Sequence, residues 1–194
     1  METAKAGVGR PRSEAARAAV LHAVDDLLVE EGYAAMTLKG IAARAGVSRQ
    51  TIYRWWSTKA EILFEASWID AAEELRVPPG DSPLAEVTSY LEALVRFLGH
   101  SPAGAAYRAL VGEAQHDLGV ARLLESKDVL GDSARAVIER VADAEGLRLS
   151  LDEASALLVG PTFYWVLAGR NPAALDVPLT AERFLSQVQG RTNS

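Results

Sequence analysis

The chain has 194 residues, a net charge of −6, 49% hydrophobic residues and no cysteine. That apolar fraction supports a buried core and excludes disorder throughout; zero cysteine removes disulfides, thiolate nucleophiles, iron–sulfur clusters and Cys-based zinc sites together. The start of the chain lacks the apolar stretch of a signal peptide, and the longest uncharged run, Ala154 to Gly169, has 16 residues where a membrane span needs about 20, so a cytoplasmic protein without membrane contact is expected.

Helical spacing recurs along the chain and no period-2 run of β-branched and aromatic residues interrupts it, so the expected fold is all-α. Ala16, Val20, Ala23, Val24, Leu27 and Leu28 line one face of a first helix, from a Ser13 cap to Glu31, stopped by Gly32. Arg10-Pro11-Arg12 lies ahead of it as a basic arm, which either reaches a minor groove or is a solvated tail. Thr37 caps a short second helix, Leu38 to Ala45, and Ser48 a third, Arg49 to Trp56. Thr58 opens a fourth, ended by Pro78-Pro79-Gly80-Asp81, the clearest linker-like punctuation in the chain. Further helices are predicted from Ser82 to Gly99, Pro102 to His116 and Leu118 to Leu124, then a longer one to Glu145, broken by Gly146. Two more run from an Asp152 cap to Gly169 and from Thr180 to Gln189, with Asn171-Pro172 and Pro178 marking the loop between them.

The charge is unevenly divided. Residues 1–60 carry nine Lys/Arg against six Asp/Glu, and residues 61–194 eleven against twenty. Between Gly32 and Ala60 there is no acid, while Lys39, Arg44, Arg49, Arg54 and Lys59 are basic. A basic module on an acidic body points to one part that meets an anionic polymer. The segment from Thr37 to Trp56 has the makings of a helix–turn–helix. Ile41 and Ala42 give the second helix an apolar side, and Ala42 and Ala45 permit close crossing. Gly46 supplies a turn that wants φ > 0, and Val47 buries that turn. Ser48 then caps a helix whose leading residues, Arg49, Gln50 and Thr51, are of the types that read base edges in a major groove. Arg suits the O6/N7 edge of guanine and Gln the N6/N7 edge of adenine. Thr51, Tyr53, Trp55 and Lys59 fall to phosphate or sugar, which fixes register rather than sequence.

Val20-Leu21, Ala23-Val24, Leu27-Leu28, Gly32-Tyr33, Met36-Thr37, Ile41-Ala42, Ala45-Gly46-Val47-Ser48, Thr51, Tyr53, Lys59 and Leu63 stand in an order and spacing that resembles the tetracycline-repressor (TetR) family, over roughly residues 15–65. The resemblance implies a homodimer that binds double-stranded, pseudo-palindromic operator DNA. It also implies an all-α C-terminal domain with a ligand pocket and the dimer interface. Phosphate contacts are implied for Thr37, Thr51, Tyr53 and Lys59, and base reading for Lys39, Arg49, Gln50 and, in some members, Tyr53. The expected organisation is a flexible arm, 1–12, a DNA-binding domain, 13–60, and a ligand-binding and dimerisation domain, 61–194. Two residues depart from the family pattern. Gly40 inside the second helix costs about 1 kcal/mol against Ala. Trp55-Trp56 replaces a His-Phe-like pair, with Trp56 expected buried and the Trp55 indole offered to a phosphate.

In the C-terminal half, Trp68, Tyr90, Phe97 and Tyr107 are either core or the lining of a cavity for an unidentified small molecule, with Arg96, Gln115 or His116 as polar contacts. The segment Ala154–Gly169 is apolar on all sides and therefore needs covering on all sides. With the last helix it is assigned to a homodimer interface through Leu158, Pro161, Thr162, Trp165, Phe184 and Val188; the alternative is a central core helix. Pro161 removes a mid-helix donor and is expected to kink it. No metal-binding, nucleophile-elbow or nucleotide-binding motif occurs, so neither enzymatic activity nor a metal or cofactor is expected. The expected function is that of a sequence-specific DNA-binding transcriptional regulator, a repressor released by a small molecule. Its rivals are a ligand-binding or enzymatic helical protein with a vestigial head, and an activator of the same architecture.

Overall fold

The computed structural model describes residues 9–142 and 147–188, and of residues 9–12 the backbone alone. Its regular elements are all helical, and the chain divides into two compact units between Ser67 and Trp68.

In the first unit, α1 (Gly9–Ala35) passes through Gly32, whose φ of 77° ends the regular helix before a final turn. The expectation that Arg10-Pro11-Arg12 lies outside this helix is corrected. Their backbone forms its first turn, where a proline costs little because the leading N–H groups have no intrahelical acceptor. Residues 1–8 of the expected arm lie outside the described residues. α2 (Leu38–Arg44) and α3 (Arg49–Tyr53) follow, then α4 (Lys59–Glu74), which carries residues of both units. Val20, Ala23, Val24 and Leu27 of α1 are buried, as are Met36, Ile41, Ile52, Trp56, Ile62 and Leu63. α3 is shorter than its pattern suggests, and the Trp55 and Trp56 amides close a turn on the Ile52 carbonyl.

The second unit is built around α5 (Pro83–His100), capped by Ser82. Its Val87, Tyr90, Leu91, Leu94, Phe97 and Leu98 are buried. It packs against α6 (Pro102–Ala114), α8 (Val129–Val141), α9 (Leu151–Leu167) and α10 (Val177–Val188); α7 (Leu118–Ser126) lies on α6. Gly104 brings α6 against α5 so closely that a Cβ there would meet the Phe97 carbonyl oxygen at 1.7 Å. The buried Glu86 carboxylate is held by the Arg140 guanidinium and by the Gly80 amide at 3.2 Å, and Arg140 also donates to the Val77 carbonyl at 3.2 Å. Both charges are thus paired and hydrogen-bonded, as burial demands.

Several helix ends differ from expectation. α9 starts two residues early, because Ser150 and Glu153 form a reciprocal capping box: the Ser150 hydroxyl accepts from the Glu153 amide, and the Glu153 carboxylate accepts from the Ser150 amide at 2.9 Å. Pro178 sits inside the first turn of α10 rather than in a loop, again where its missing N–H is harmless. α8 closes at Val141; Glu145 and Gly146, and Gln189 at the expected end of the last helix, lie outside the described residues. α9 continues through Pro161.

Candidate nucleic-acid interface

The helix–turn–helix is assembled by two caps and one glycine. Thr37 Oγ1 accepts from the Gly40 amide at 3.0 Å and so starts α2. Gly46 takes φ 65°, and the Val47 amide returns to the Ala42 carbonyl at 3.0 Å. Ser48 Oγ then accepts from the Thr51 amide at 3.1 Å and starts α3. Ile41, Ala42 and Ile52 are buried between the helices, and Val47 is half-buried. The opposite side of α3 presents Arg49, Gln50 and Tyr53 to solvent, with Thr51 half-buried beside the cap.

The five basic residues of the acid-free stretch do not share one role. Arg44 Nη1 donates to Glu30 Oε1 at 3.0 Å, its Nη2 pairs with Glu30 Oε2, and Asp26 lies at 3.6 Å. Arg44 therefore ties α2 to α1, and its hydrogen bond holds the Glu30 carboxyl below the usual carboxylate range. The Lys59 ammonium donates to the carbonyls of Tyr33, at 2.8 Å, and Met36, at 3.1 Å, and sits 4.1 Å from the centroid of the Tyr33 ring. It clamps the start of α4 onto the end of α1 and has one of its three donors left over. Lys39, Arg49 and Arg54 have no carboxylate partner among the described residues. Arg49 donates to the Tyr53 hydroxyl at 3.1 Å, and Arg54 lies 5.2 Å from the Trp55 ring. Trp56 is buried and its indole donates to Glu65 at 3.0 Å, while Trp55 meets it edge-on and is half-buried. Arg17 of α1 pairs with the same Glu65 at 2.6 Å, and neither the Trp56–Glu65 nor the Arg17–Glu65 contact carries a signal in local spacing.

The structure places the residues singled out in the C-terminal half in different settings. Tyr90 and Phe97 are fully buried core; the Tyr90 hydroxyl meets Ser133 Oγ at 3.0 Å, and burial pushes its pKa well up. Trp68 lines a recess of about 210 Å³ between α4 and α8, with its indole N–H buried and without a hydrogen-bond partner among the described residues. Tyr107 lines two adjoining recesses beside α8. Gln115 and His116 are exposed beyond the end of α6, and Gln115 folds back onto the Val111 carbonyl. Leu158, Thr162, Phe184 and Val188 turn into their own core. Pro161 is exposed and Trp165 half-buried, beside a groove between α9 and α10 that also involves Tyr164, which is 62% exposed.

The profile of bacterial regulatory proteins of the tetR family matches residues 20–66, which contain both capped helices and the turn. Over 166 residues the chain is 36% identical to the uncharacterized HTH-type transcriptional regulator YdeS of Bacillus subtilis, covering 82% of each protein. The chain belongs to the TetR family. It is a DNA-binding transcriptional regulator with the all-α fold of that family. The fold matches that of the TetR-family transcription regulator SCO0332 with a TM-score of 0.65 at 24% identity, over 88% of this chain and 95% of that one. A complex of SmeT with triclosan matches with a TM-score of 0.62 at 18% identity, over 92% and 93%. No helix among the described residues of this TetR-family regulator is long and apolar enough to cross a membrane.

Proposed function

We propose that this regulator is a homodimeric repressor of the cytoplasm that leaves its operator when a small molecule binds the C-terminal unit. The observation that carries the reading is the solvent-facing side of α3: Arg49 and Gln50 stand exposed at the leading end of a capped helix, and among the described residues Arg49 has no carboxylate to neutralise it. Lys39, Arg49 and Gln50 are assigned to base edges, and Thr37, Thr51, Tyr53, Trp55 and the spare donor of Lys59 to phosphates. The functional division follows as 13–60 for DNA and 61–194 for ligand and partner, with Arg10 and Arg12 adding positive charge at the start of α1.

Two features of the second unit support the rest. The recess lined by Tyr107, of about 420 Å³, has the size of a small-ligand site, and the smaller one lined by Trp68, of about 210 Å³, adds apolar lining; SmeT, of the same fold, is known with triclosan bound. The outer side of α9, with Pro161, Tyr164 and Leu167 exposed, is an apolar face that a second copy would cover, with Trp165 at its edge. Leu158, Thr162, Phe184 and Val188 support that face from behind. Ligand binding then acts by population shift, favouring a state whose two reading heads no longer match half-sites about 34–36 Å apart. A reporter driven by the DNA upstream of this chain's own coding sequence tests the sign. Expression of the regulator lowers the signal if it represses; a raised signal identifies an activator, and an unchanged one removes the operator from this DNA.

A further inference from the structure

The adjoining recesses at Tyr107, of about 420 and 460 Å³, share Tyr107, Asp128 and Arg135. Their inner walls carry the Tyr107 and Phe163 rings with Leu130 and Val159. Among the described residues their rim carries four carboxylates, Glu125, Asp128, Asp132 and Asp152, against one cation, Arg135. Arg135 donates to Asp132 and to Asp152, each at 3.0 Å, and lies 4.0 Å from Asp128. One guanidinium thus spans three carboxylates and leaves the rim with a net negative charge. The charge of Asp128 also reaches the wall: burial, with Asp128 adding to it, pushes the Tyr107 phenol up to about 12.

On this arrangement, and resting on the reading of the second unit as a sensor, we infer that the cleft takes a lipophilic organic cation, a bulky ammonium or phosphonium with aromatic or aliphatic groups. Arg135 already fills the place of such a cation. It is a tethered counterion that an incoming one displaces from Asp128 and Asp152. An anion of the same shape meets repulsion from the rim. A bare metal ion is poorly suited, since among the described residues no three His, Asp or Glu side chains converge to hold one. The Tyr107 and Phe163 rings on the wall are the groups for a cation–π contact, and the aliphatic wall offers burial to the cation's substituents.

The test uses an isosteric pair of opposite charge, tetraphenylphosphonium and tetraphenylborate, titrated calorimetrically into the full chain. The cation is expected to bind at least about tenfold more tightly, the scale of a few partly exposed charge and ring contacts combined. Asp128→Asn with Asp152→Asn keeps the α8 cap, since Asn caps as well as Asp, and is expected to weaken tetraphenylphosphonium about tenfold. Arg135→Gln removes the competitor and is expected to strengthen it, a gain that mere damage to the fold does not produce. Equal or tighter binding of the borate, or a cation affinity unmoved in both variants, overturns the inference. A gel shift separates it from the sensor reading. Specific cation binding that leaves the operator complex intact supports the ligand class while refuting release. Release by other small molecules with no cation binding refutes the class alone.

Discussion

Arg49 and Tyr53 stand one turn apart on α3 and hold each other: the guanidinium donates to the phenol oxygen at 3.1 Å and lies 5.8 Å from the centroid of the ring. The side chain best suited to guanine is therefore preoriented before any DNA arrives. Arg49→Ala is expected to remove about 1–3 kcal/mol of discrimination at one base pair, and Tyr53→Phe, which keeps the ring but not the hydrogen bond, a smaller part of it. Competition binding on a panel of single-base operator variants checks both. A uniform loss across the panel assigns Arg49 to phosphate instead.

Lys59 serves the fold, and its spare donor is proposed to meet a phosphate. Its ammonium already holds two carbonyls. Lys59→Ala is expected to weaken every duplex alike and to lower the salt slope by about 1. It is also expected to reduce unfolding stability by about 1.5–3 kcal/mol, the range for hydrogen bonds to a charged group. Denaturant melts beside salt-dependent binding separate the two effects.

Two glycines of α6 predict opposite signs for the same substitution. At Gly112 a Cβ meets nothing within 4 Å, so Gly112→Ala is expected to raise stability by up to about 1 kcal/mol through helix propensity. At Gly104 it would collide with the Phe97 backbone, and Gly104→Ala is expected to cost about 3 kcal/mol, the upper end of ordinary overpacking. Thermal melts of the two variants decide.

Acid is expected to loosen both units. The Arg44 hydrogen bond lowers the pKa of Glu30, and backbone and side-chain bonds from Ser150 lower that of Glu153, each from an ordinary 4.5. A carboxyl lowered in the folded state stabilises above the unfolded value, and that contribution disappears as the pH falls through the folded one. Melting temperatures are therefore expected to fall below about pH 4.5, and Glu30→Gln to flatten part of that fall.

The head of the molecule was far more legible in its sequence than the body. Thr37, Gly46 and Ser48 act through bonds three to five residues long, so their spacing announces the geometry. The start of α9 departs from the Asp152 cap because two capping residues compete within three positions, and Ser150 wins through its partner Glu153. The facing of α9 could not be read at all: a helix apolar all round has no polar side to mark its exterior, and Leu158 and Thr162 turned inward while Pro161 turned out. The two recesses at Tyr107 are lined by residues of α6, α7, α8 and α9, which no local pattern brings together, so Tyr107 lines them while Gln115 and His116 do not.

Fluorescence anisotropy of the full-length protein, with a labelled duplex from its own upstream region and a shuffled duplex of equal composition, tests the DNA-reading role most directly. The specific duplex is expected to bind at least about 1,000-fold more tightly. Its affinity is expected to fall steeply with salt, as about 6–10 phosphate contacts across a dimer require. Equal affinity for the shuffled duplex, or an affinity flat in salt, contradicts reading by α3.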